Sequence, residues 1–132
     1  MNIFNFIEQY AEQIGGQFTI YDSTKSIIVV PLTDGRFQTL IIAIEKSKIL
    51  DKHHGVITSK VCEYTSTINL KDLLEQSVRF DYSKFIIGDG HLKIIATFPT
   101  EGTREDEIKH MIMEVAQLAD RFELQITGRD IQ

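Results

Sequence analysis

The chain has little of what usually announces a chemistry. A single cysteine, Cys62, excludes an intrachain disulfide and any Cys-x-x-Cys metal or redox pair. Its neighbours Val61 and Tyr64 read as strand, where a lone thiol is a small buried hydrophobe. The two prolines, Pro31 and Pro99, fall where strand patterns end. Bases are in deficit, with 14 Lys+Arg against 19 Asp+Glu and a formal net charge of -5. A phosphate backbone is gripped by a basic stripe, which no helix or strand pattern here supplies, so no nucleic-acid partner is expected. No apolar run approaches the roughly 20 residues of a membrane span. The longest, over 27–32, is strand-sized, and the N-terminus meets Glu8 without a basic leader region. A cytoplasmic location with no membrane partner is the expectation.

The common catalytic motifs are also missing. There is no G-x-S-x-G, no G-x-x-x-x-G-K-[ST], no G-x-G-x-x-G after a strand and no H-E-x-x-H. His53 and His54 are adjacent in a polar stretch, where side chains diverge and do not chelate one ion. His91 follows a turn, and His110 lies three residues after Glu107, the spacing of a helical surface contact. Asp22, Asp34 and Asp89 fall in turns, Asp72 and Asp106 in helix first turns, so each carboxylate has a backbone reason. No catalytic residue, cofactor-binding residue, cofactor or metal site is expected, and the chain reads as a non-enzyme.

What is present is patterning. Ile3, Ile7, Tyr10, Ala11 and Ile14 recur at helical spacing before Gly15-Gly16 supplies a stop. Phe18 to Tyr21, 27–32 and Phe37 to Glu45 read as three strands, with Asp22-Ser23-Thr24 and Thr33-Asp34-Gly35 as turns. Residues 46–55 read as an exposed connection. Over 56–64 the pattern resumes, with Val56, Thr58, Lys60, Cys62 and Tyr64 on one side, and its imperfect alternation predicts an edge or bulged strand. Asn69 offers an N-cap to a short helix bearing Leu70, Leu73, Leu74 and Val78. Residues 82–87 and 91–98 flank Gly88-Asp89-Gly90 as a second hairpin. Thr103 is read as the cap of a last helix with Glu105, Asp106 and Glu107 in its positive first turn. Its stripe runs Ile108, Met111, Ile112, Val115, Ala119, Phe122, Ile126, and a short polar tail follows from Gly128.

Twenty isoleucines against nine leucines favour strands. The order α-β-β-β-β-α-β-β-α over residues 1–132 predicts a single α+β domain with helices packed on one antiparallel sheet. Two features point to binding. Phe4, Phe6, Ile7 and Tyr10 give the first helix more apolar surface than a one-sided helix requires. It therefore either packs on two sides, the reading favoured by the pattern, or contacts a partner, for which these four are the candidate binding residues. The second strand is apolar at consecutive positions, so both its faces want cover, from the chain's own helices or from another subunit or client.

The second half carries a resemblance. Leu73-Leu74, Arg79-Phe80, Lys84-Phe85-Ile86-Ile87-Gly88-Asp89-Gly90, Leu92-Lys93-Ile94 and Ala119-Asp120-Arg121-Phe122 resemble the YbjN family of bacterial domains. The element order resembles the class I type III secretion chaperone fold. The resemblance implies a non-enzymatic, homodimeric domain that binds a partner or client protein, a chaperone-like adaptor or regulator. Two alternatives stay open. One is a small-ligand domain or enzyme with a site between sheet and helices near Tyr82, His91 and His110. The other is an accessory subunit of a larger complex.

Overall fold

The computed structural model describes residues 2–128. Three helices and six strands follow one another as α1 (Ile3–Ile14), β1 (Gln17–Ile20), β2 (Lys25–Pro31), β3 (Phe37–Lys46), β4 (His53–Glu63), α2 (Leu70–Gln76), β5 (Lys84–Gly88), β6 (His91–Pro99) and α3 (Glu105–Thr127). This is the α-β-β-β-β-α-β-β-α order expected from the patterning, in an α+β fold with one open antiparallel sheet. The strands lie in the order β1-β2-β3-β4-β6-β5. β6 therefore pairs with β4, and β5 forms the far edge.

Local chemistry accounts for most boundaries. The Asn2 side chain accepts the Asn5 N–H, and Gly15 closes α1 at φ 74°, a left-handed conformation glycine adopts freely. Asn69 caps α2 by accepting the Asp72 N–H at 3.1 Å. Gly88 pairs with His91, which leaves Asp89-Gly90 as a two-residue hairpin turn with both φ positive.

The structure departs from the sequence expectations at several places, among them Val78, which falls in the 3-10 turn Ser77–Arg79 beyond the end of α2 and is 81% exposed. Thr103 does not cap α3: its hydroxyl donates to the Pro99 carbonyl at 2.6 Å, and Arg104 takes the N-cap position. The three acids of the first turn remain to satisfy the helix dipole, so the helix starts without a hydroxyl cap. The polar connection is shorter than 46–55, because Lys46, Glu45 and Ile44 pair with His53, His54 and Gly55. Ladder bonds are backbone bonds and need no apolar side chain. The strand over 56–64 is interior, and its irregularity is a bulge between Lys60 and Cys62. The extra residue turns Cys62 onto the same side as Leu92, away from Lys60.

All three helices serve one face of the sheet. α1 lies on β1 and β2, and α3 crosses β3, β4 and β6. Ile28, Val30, Leu40, Ile42, Ile57, Leu92, Ile94 and Phe98 of the strands meet Ile7, Ile108, Ile112, Val115, Ala119 and Phe122 of the helices, all at most 1% exposed. Each large side chain so buried contributes roughly 1.5–3 kcal/mol against exposure. Lys109 of α3 sits 5.8 and 5.6 Å from the ring centroids of Phe6 and Tyr10, which ties α3 to α1. Arg36, at the start of β3, donates from Nε to both oxygens of the buried Asp120 on α3 at 3.1 Å.

Candidate functional site

Among the described residues, no helix lies on the other face of the sheet. Residues directly opposite on paired strands share a face, so the register reads this surface row by row. One row runs Thr19, Ile27, Ile41, Thr58, Ile95, Lys84 across all six strands. A second runs Lys25, Ala43, Val56, Thr97, and Phe37 stands opposite Pro31 at the end. Ile41 and Phe37 are 45% and 44% exposed, and Ile27, Val29, Ile86 and Ile95 are half-buried. The middle of the face is apolar and contiguous, the kind of patch that marks an interaction surface.

Four lysines stand at its margin, and the register places Glu45 and Glu63 on the same face toward its ends. Lys60 stands directly opposite Lys93, and Ile86 follows Lys93 on β5. Like charges in opposed positions weaken a ladder, so this pairing is a local cost to the isolated sheet. Lys93 has Asp89 at 3.5 Å. With Lys25 and Lys84, four cations rim an apolar centre in a protein whose net charge is -5.

No family model and no curated protein matches this chain.

The candidate residues of the first helix lie elsewhere. Ile7 is fully buried, Phe6 and Tyr10 nearly so, and Phe4 is half-buried edge-on to Phe18 at 6.5 Å. α1 is apolar on more than one side because it packs in a corner, with β1 and β2 beneath and Lys109 of α3 alongside. The consecutive apolar residues of β2 divide as a strand must: Ser26, Ile28 and Val30 face the helices, while Ile27 and Val29 face out.

The other singled-out groups are dispersed. Tyr82 and His110 are exposed, His91 is half-buried with Nδ1 3.0 Å from the Asp89 carbonyl, and these three share no hydrogen bond. The expected partner of His110, Glu107, instead faces Arg104 at 3.9 Å. His53 offers its backbone carbonyl to Thr100. Among the described residues, no group of three His, Cys, Asp or Glu side chains is placed to hold a metal ion. Burial, with a smaller contribution from the Glu123 charge, pushes the Cys62 thiol up and keeps it protonated.

Sequence reasoning passed over Glu114. Its carboxylate accepts the N–H groups of Asp81, Tyr82 and Ser83 and the Ser83 hydroxyl, at 2.7–2.9 Å. Desolvation alone would raise this group, but the Ser83 hydroxyl and the three N–H groups outweigh it and hold it below the usual carboxylate range. Nothing in the spacing signals the contact, which joins α3 to the segment entering β5 across about 30 positions.

Proposed function

We propose that the chain is a non-enzymatic protein-binding domain of the cytoplasm, a chaperone-like adaptor or regulator, working as a homodimer. The observation that carries the reading is the bare sheet face with its apolar centre and lysine rim. A surface of this composition suits a partner segment that presents apolar side chains flanked by acids. Ion pairs to Lys60 and Lys93 would then offset their mutual repulsion. Placing two such faces against each other would set lysine near lysine, so the homodimer is assigned to another place, the β5 edge.

That edge is apolar and carries no proline. Pairing β5 antiparallel with its own copy about Ile86 sets Phe85 opposite Ile87, Lys84 opposite Gly88 and no like charges together. A register centred on a residue keeps the helices of both copies on one side of a continuous sheet. Ile87 is exposed on this edge, and Leu74 of α2 beside it lines the same apolar groove.

The test has two readings on one preparation. Light scattering of the purified chain should give a dimer, and a strict monomer at high micromolar concentration would sink that half. Tagged protein and the Phe37→Ser, Ile41→Ser variant are then used to capture partners from the native lysate. The expected result is one dominant acidic partner, lost in the variant and rebinding when purified. Equal capture by both forms, or none by either, would overturn the assignment of the sheet face.

A further inference from the structure

Four arginines fall among the described residues, at positions 36, 79, 104 and 121. Two are engaged: Arg36 with Asp120 and Asp34, Arg104 with Asp106 and Glu107. The other two, Arg79 and Arg121, have no ion-pair or hydrogen-bond partner among the described residues. These two line the same cleft. It measures about 400 Å³ and lies on the helical side of the molecule, between α2, the 3-10 turn Ser77–Arg79 and α3.

Two acids, Glu114 and Glu75, share the cleft, and neither is ion-paired to either arginine. Both oxygens of Glu114 are already taken by the four donors of the 81–83 segment. Glu75 precedes Arg79 by four residues, a spacing that makes ion pairs along an α-helix. The α-helix ends at Gln76, however, and the chain tightens into the 3-10 turn, which takes Arg79 off the row that Glu75 occupies. On α3, Gln117 and Arg121 sit four apart and so share a face. Gln117 adds an amide donor, Gln76 already donates from Nε2 to Asp72 at 2.9 Å, and Phe80 and Leu118 give the cleft an apolar wall.

We propose that this cleft binds a small phosphate monoester, with Arg79 and Arg121 on the phosphate and Phe80 and Leu118 against its organic part. Two guanidiniums present two positive charges and two planar forks of N–H donors, a match for a dianion with three acceptor oxygens. A carboxylate would occupy one fork and leave the other cation unpaired. The volume is that of a small-molecule site. The inference is independent of the sheet face, which lies on the opposite side of the fold.

Phenyl phosphate is the probe, titrated into the purified chain at low salt and followed by amide chemical shifts and calorimetry. One saturable site should appear, with the shifts confined to residues 75–82 and 114–122. Arg79→Gln and Arg121→Gln should each weaken it on the order of tenfold, and the pair together should abolish it. Both side chains are exposed, so the variants should melt with the wild type, and their circular dichroism is recorded to establish it. Benzoate, with a single charge, should bind severalfold more weakly, and so should inorganic phosphate, which has nothing for the apolar wall. Absent saturation, or affinity unchanged in both variants, would overturn the site. Benzoate or inorganic phosphate binding as well as the probe would overturn its assignment to a phosphate monoester.

Discussion

Replacing Gly55 with alanine adds one methyl group, and the structure says where it goes. Gly55 lies opposite Phe98 across the β4–β6 ladder, on the face that the helices cover. A Cβ at this position would meet Cζ and both Cε atoms of the Phe98 ring, the farthest of them at 2.8 Å. Unstrained carbon–carbon contacts are about 3.5–4.0 Å, so the ring must retreat by roughly 1 Å. Phe98 is 1% exposed and surrounded by core, which leaves it little room to move. Overpacking of this kind costs about 1–3 kcal/mol. The opposing effect is the entropy recovered when a strand glycine becomes alanine, about 0.5–1 kcal/mol. Gly55→Ala should therefore destabilise, lowering Tm by several degrees in a chain of 132 residues. The chain has no tryptophan, so urea unfolding is best followed by far-ultraviolet circular dichroism. Phe98→Leu should be costly alone yet partly restore Gly55→Ala, giving a coupling of roughly 0.5–3 kcal/mol in the double-mutant cycle. An alanine variant as stable as the wild type would refute the claim that the ring requires this glycine.

Other perturbations separate structural from surface roles. Glu114→Gln removes the charge that gathers the donors of residues 81–83 and should cost about 1 kcal/mol near pH 7, the low end because solvent reaches the site. Since the folded carboxyl is held below its unfolded value, that contribution is present above the ordinary carboxylate range and fades as pH falls through the folded value. Urea midpoints of wild type and Glu114→Gln should thus converge in acid. Arg36→Ala leaves the buried Asp120 carboxylate without its cation and should lower the urea midpoint more than Arg104→Ala, whose ion pairs are exposed. Neighbours on β3 should part sharply: Ile42→Ala, in the core, should cost about 2–5 kcal/mol. Ile41→Ser, on the open face, should change stability by less than about 1 kcal/mol while impairing partner capture.

The local architecture was legible because local chemistry determines it. Asn2, Asn69, Gly15 and the Asp89-Gly90 turn act within a few residues of themselves. The alternation of Leu92, Ile94, Ala96 and Phe98 was equally plain. The order of strands was not legible, since β4 and β6 read the same whether or not they are neighbours. Thr103 and Arg104 both precede the acidic turn, and only the nearby Pro99 carbonyl decides that the threonine hydroxyl goes elsewhere. The open face was half visible: consecutive apolar residues in β2 announced two faces needing cover. That the helices all choose one of them depends on packing between distant elements. The surplus apolar surface of α1 admitted two readings in sequence, packing on two sides or contact with a partner, and α1 fills a corner as the first requires. The second was open because periodicity reports how wide a stripe is and never what lies beside it.

The pairing of β6 with β4 also has a kinetic meaning. β1 to β4 can zip as successive hairpins, each closing a short loop, and β5 with β6 can form a hairpin alone. Their junction cannot: the Cys62–Leu92 pairing closes a loop about thirty residues long that contains α2. α3 follows both pieces in sequence and lies across both sides of this seam. Its docking rewards a junction whose loop-closure entropy has already been spent, so the slow step of folding should be the joining of two preformed pieces under one helix. Substitutions on the α3 stripe, such as Val115→Ala, should then slow refolding, while those in the Asp89-Gly90 turn should act chiefly on how fast the edge hairpin forms.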